Sequence, residues 1–217
     1  MPYLSHYPHA AFVSYAHSEL NVWSAGFVEH LQRSVAFGLK LRDVRDLPFW
    51  FDTQFEGNVP LTAGLKQAVE NAACLIVLLS EEFLESSWCT NELDWFTRTI
   101  ESKREHLSHP VFIVLLHDIP REQWPKPLRD LDLVGYPFEG DRVLRTPLGY
   151  SRARPPEGPE YENALRKLAG QLITHLKQVK EEEIAPRPSH DAPRPPPDAP
   201  PPPPERSETT HLPDRRA

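Results

Sequence analysis

Residues 74–93 read CLIVLLSEEFLESSWCTNEL. Six apolar residues, Cys74–Leu79, run without a polar interruption and are rich in β-branched and aliphatic types, which reads as a strand. A strand with one wet face would alternate apolar with polar. An unbroken run suits burial on both faces, as in a parallel sheet covered by helices. The chain then turns polar, and Ser86 or Ser87 can cap a helix whose inward residues include Leu93 and Phe96. The stretch is therefore a strand–helix unit. Similar runs stand at Ala10–Tyr15 (AAFVSY), Pro48–Phe51 (PFWF) and Val111–Leu116 (VFIVLL), with a weaker one at Leu131–Tyr136 (LDLVGY).

Helical patterns fill the gaps. Trp23, Phe27, Leu31 and Val35 recur every four residues, with Ser18 as a cap. Leu61, Leu65, Ala68, Val69 and Ala72 mark a second helix, opened by Asn58 and Pro60. Ile119–Pro127 holds three prolines, so the helix there is short. Leu165, Leu168, Leu172, Ile173, Leu176 and Val179 form the cleanest stripe and the last helix. Alternating strands and helices predict a doubly wound α/β domain. Its functional crevice is expected beyond the carboxyl ends of the strands.

Of the 25 prolines, 12 fall after Ile184. Residues 184–217 are expected to be a disordered or polyproline tail, serving as a spacer or as a ligand for SH3-like domains. Residues 1–7 read as a lead and 8–183 as the folded domain, long enough to bury a full core. Gly140–Pro159, with four prolines, is a long loop before the last helix.

Net charge is −7, with no Lys/Arg stripe, which argues against nucleic acid as the main partner. The longest apolar run, Ala72–Leu79, is too short to span a membrane. The first residues carry no secretory signal pattern. Two cysteines, Cys74 and Cys89, make neither a disulfide framework nor a zinc site, and free thiols point to the cytoplasm. Ten histidines are scattered, with no metal-binding spacing. Glycine-rich phosphate loops are absent, as is GxSxG. A phosphoacceptor receiver would need paired acids after the first strand, where this chain has Ser14-Tyr15-Ala16-His17.

Three segments should meet at one rim of the sheet: Ser14–Glu19, Asp52–Pro60 and Glu81–Leu93. Cys89, near a helix start, reads as an ordinary thiol because no histidine can be assigned to it. Glu92 falls in the expected first turn of the third helix. On spacing alone two readings stay open: a carboxylate favoured by the helix dipole, or a functional acid walled by Trp88, four residues earlier. As a first-turn acid, its loss should cost about 1 kcal/mol or less.

AFVSYAHSE, FWFDTQFEGN and LIVLLSEEFLESSWCTNELDW together resemble the TIR (Toll/interleukin-1 receptor) domain over residues 8–180. The matching pieces are Phe12-Val13-Ser14-Tyr15, Asp52 with the following loop glycine Gly57, the Leu-Ser after the third strand, and S-x-W-C-x-x-E-L at Ser86–Leu93. The resemblance implies a five-stranded, all-parallel flavodoxin-like α/β fold. It also implies one of two functions. Many bacterial, plant and axonal members cleave NAD⁺ at the nicotinamide–ribose bond, using a glutamate in a W-x-x-x-E setting that Trp88 and Glu92 match. Other members are non-enzymatic modules that bind TIR domains, as adaptors or as mimics of a host's.

For the enzymatic class the resemblance places substrate near Tyr15, Ala16, His17 and Trp88. It makes Asp52–Pro60 a gating loop that contacts a neighbouring subunit, with Phe55 as its aromatic candidate for stacking on a base. NAD⁺ would be the substrate, with no metal and no further cofactor. Expected partners are other copies of the chain and a defence or signalling protein, in immune or antiphage defence. Products are linear or cyclic ADP-ribose.

Overall fold

The protein is described by a computed structural model. The described residues are 1–51, 63–103 and 110–185, excluding the side chains of residues 63, 88 and 99–103. Asp52, Phe55, Gly57, the Asn58–Pro60 helix start and the tail beyond Ala185 lie outside that set.

Five strands, β1 (Ala11–Ser14), β2 (Phe49–Trp50), β3 (Leu75–Leu79), β4 (Val111–Leu115) and β5 (Tyr136–Pro137), form one sheet in the order β2-β1-β3-β4-β5. Every pairing is parallel. This is the flavodoxin-like doubly wound order, with its switch point between β1 and β3. The expected fold class is the observed one. The weak fifth run was misplaced: α5 (Lys126–Asp130) stops just before it, and pairing with β4 begins only at Tyr136.

The unbroken runs have a simple cause. Leu75, Val77 and Leu79 of β3 pack into one core layer, while Ile76 and Leu78 pack into the other. Successive side chains point to opposite faces, and helices cover both. On one face lie α1 (Asn21–Gly38) and α6 (Pro159–Ile184), through Trp23, Phe27, Leu31 and Val35 and through the leucine stripe of α6. On the other lie α2 (Ala63–Glu70), α3 (Glu81–Glu85), α4 (Ser87–Lys103) and α5. Burying the five β3 side chains contributes on the order of 10 kcal/mol of transfer free energy, before conformational entropy is set against it.

One helix was expected after β3, and two are present. Ser80 caps α3, its hydroxyl accepting from Phe83 N at 3.2 Å. Ser86 then breaks the run in an extended conformation, and its hydroxyl accepts from Cys89 N at 3.3 Å, capping α4. Glu92 is therefore in the second turn of α4, not the first, and the helix-terminus effect fades within the first turn.

The loop after β5 is fastened to the domain. Trp23 donates its indole N–H to Leu148 O at 2.8 Å. A Cβ on Gly26 would come within 2.7 Å of Pro155 and 2.6 Å of Pro156, so α1 approaches the loop at a point only glycine permits. The N-terminal segment is fastened too. The Glu183 carboxylate, 3% exposed, accepts from Ser5 N and Oγ, each at 3.0 Å, and from His6 N at 2.6 Å. No described helix is long and apolar enough to cross a membrane.

Candidate functional site

β1 ends at Ser14, and the period-2 rule puts Ser14 on the same face as Phe12, the face covered by α4. On α4, Cys89, Leu93 and Phe96 are buried in that layer. Glu92 stands at the border of this buried face, half-buried, and reaches over the end of β1. Ser14, 1% exposed, donates its hydroxyl to Glu92 Oε2 at 2.5 Å.

Burial pushes the Glu92 carboxyl up to about 7, and the Ser14 hydrogen bond pulls it partway back. Desolvation penalises the charged form, so the carboxyl titrates near neutrality instead of in the usual acidic range. An anion left short of solvent responds strongly to a nearby cation.

Cys89 sits one turn earlier on the same face. Burial first, and then the Glu92 charge, push its thiol up to about 12. It is a thiol at neutral pH and not a nucleophile, in keeping with its sequence reading.

The other expected substrate residues are placed unevenly. Tyr15 and Ala16 are half-buried and His17 is exposed. The Tyr15 ring stacks on Phe51 at 4.6 Å and meets His17 at 4.9 Å, so the ends of β1 and β2 share an aromatic cluster. Ala16 packs on the core layer that holds Cys89. Trp88 is in the first turn of α4, and its side chain is outside the described residues. Asp52, Phe55 and Gly57 are outside them as well. Ser14 is the residue that sequence reasoning missed as a partner of Glu92. The available signal was a hydroxyl at the carboxyl end of a buried strand, on the face that α4 covers.

A cavity of about 760 Å³ opens at the same rim, lined by the segments after β1, β3 and β4 and by the long loop. Glu92 does not line it. Its two arginines are each paired within the chain, Arg145 with Glu81 at 2.5 Å and Arg152 with Glu19 at 3.5 Å. Among the described residues, no group of three or more His, Cys, Asp or Glu could hold a metal ion.

No curated protein matches the sequence. A solved structure of the activated Roq1 resistosome directly recognizing the pathogen effector XopQ (TIR domains) is similar at 17% identity. The match covers 80% of this chain and 96% of that one, with a TM-score of 0.36. The family described as TIR domain matches residues 12–144, which is more than half of the chain and takes in β1 from Phe12 onward, the other four strands and the Ser14–Glu92 pair. On that match the chain belongs to the TIR domain family.

Proposed function

We propose that this TIR domain is an NAD⁺ glycohydrolase that works when assembled, in immune or antiphage defence signalling. The observation that carries the reading is the Glu92 carboxyl at the strand-end rim, raised to about 7 by burial and hydrogen-bonded through one oxygen to the end of β1. The bond between ribose C1′ and the nicotinamide nitrogen breaks, and its electron pair leaves with nicotinamide. The leaving group is neutral and needs no general acid. Positive charge develops on the ribose as an oxocarbenium ion, which a poorly solvated carboxylate stabilises, as in glycoside hydrolysis. Water adds to C1′ and releases a proton, giving ADP-ribose; attack by an internal nucleophile would give a cyclic product. NAD⁺ is the substrate, and the chemistry calls for no additional cofactor. Tyr15, Ala16 and His17 adjoin Ser14 in sequence and supply the nearest wall. Trp88, Asp52, Phe55 and Gly57 complete the proposed pocket on the strength of the family pattern.

Purified protein at tens of micromolar, incubated with NAD⁺ and analysed by chromatography, should release nicotinamide. Glu92→Gln should reduce release by roughly 10²-fold or more. Wild-type protein that releases none across that range would leave the non-enzymatic interaction module as the reading.

A further inference from the structure

Glu92 presents its two oxygens differently. Oε2 accepts the Ser14 hydroxyl at 2.5 Å, and among the described residues Oε1 accepts no hydrogen bond. Ser14 is itself held rigidly. It ends β1, which lies between β2 and β3, and it is in register with Val77 of the central strand. At 1% exposure it cannot touch a substrate. Glu92, by contrast, projects from a helix on a side chain with three rotatable bonds, and it is only half-buried. A serine on the sheet therefore determines where a flexible carboxylate on the helix comes to rest.

We propose that Ser14 is a positioning residue for the NAD⁺-cleaving reaction: its hydroxyl pins Oε2 of Glu92 to the end of β1 and leaves Oε1 to face the ribose. The inference rests on the glycohydrolase reading above. It makes the first-strand serine part of the catalytic apparatus without contact to the reacting atoms. Productive geometry has to be held to within a fraction of an ångström, and a group left to wander loses rate without losing substrate affinity. The same hydrogen bond favours the ionised carboxylate, so its loss moves the titration of Glu92 upward.

The test compares Ser14→Thr with Ser14→Val in the full chain. These side chains have the same shape and differ by the hydroxyl, so a loss of packing or folding affects both alike. Nicotinamide release is measured from pH 5.5 to 9.5, and the Glu92 carboxyl carbon is titrated by ¹³C NMR, with Glu92→Gln used for assignment. The Thr variant should keep the acidic limb of the wild-type profile, while the Val variant moves it up by about one unit. At pH 9, where both carboxyls are ionised, the Val variant should still be slower in kcat by about tenfold, with KM within about threefold. Val and Thr variants with the same pH limb, the same NMR titration and the same kcat at pH 9 would overturn the proposal. If no variant nor the wild type cleaves NAD⁺ while the NMR titration still separates Thr from Val, the reaction assignment fails and the Ser14–Glu92 coupling stands.

Discussion

Glu92→Gln should make the protein more stable at pH 8 while reducing its activity. The sequence alone suggested the opposite sign, a small loss from a first-turn acid. In the structure the carboxyl is in the second turn and burial raises it from 4.5 to about 7. A group whose folded value lies above its unfolded value contributes stability that is fully present below the unfolded value, here about 4.5. That contribution is lost as pH rises through the folded value, here about 7. Fully expressed, such a shift is worth about 3 kcal/mol. Solvent reaching the half-buried group lessens it, and about 1–3 kcal/mol is expected. Glutamine keeps the shape, accepts the Ser14 hydroxyl through its amide oxygen and never ionises. The variant should therefore melt roughly 3–10 °C above wild type at pH 8 for a domain of this size. The gap should close to within about a degree at pH 4.5. Differential scanning calorimetry of both proteins across that range is the assay, because pH effects elsewhere in the chain cancel in the difference. A Gln variant that melts lower than wild type at pH 8, or a gap that does not change with pH, would show that Glu92 supports the fold instead of straining it. Activity obtained at the expense of stability is a common mark of a functional site.

Further outcomes test the same picture. Because the carboxylate is the working form, kcat/KM for NAD⁺ should rise about tenfold from pH 6 to pH 8 around a midpoint near 7; a flat profile over that range would remove Glu92 from the rate-limiting chemistry. At Glu183, burial alone would raise the carboxyl, but the Ser5 and His6 donors outweigh it and hold it below 4.5. Glu183→Ala should therefore cost about 2 kcal/mol at pH 7. The difference from wild type should shrink as pH falls through the lowered value, and amide exchange at Ser5 and His6 should accelerate. Truncation after Ile184 should leave the melting temperature within about two degrees, because the tail holds too few apolar side chains to offset its ordering entropy. Total activity should rise faster than linearly between nanomolar and tens of micromolar protein, and salt that screens the −7 charge should help. Gly57→Pro should suppress activity with Glu92 intact; a linear dose response with that variant fully active would mean that a monomer suffices.

The parallel sheet was legible because its signal is local. Cys74–Leu79 has no polar interruption, and only a strand buried on both faces can afford that. The four-residue recurrence in α1 and the leucine stripe of α6 depend equally on near neighbours along the chain. Glu92 stood out as a candidate through Trp88 and the family pattern. Three features required the tertiary structure. The short helix α3, capped by Ser80 ahead of the expected start at Ser86, is too brief to show an apolar period, and its buried side chain, Phe83, is fixed by packing into the core layer shared with α4. The weak run at Leu131–Tyr136 pairs only from Tyr136, because strand limits are set by the neighbouring strand and not by the residues alone. Ser14 and Glu92 lie 78 residues apart and meet only because α4 crosses the end of β1. The raised value of Glu92 comes from burial, against the pull of the Ser14 hydroxyl: desolvation sums over every atom that folding packs around a carboxyl, and no stretch of sequence carries that sum.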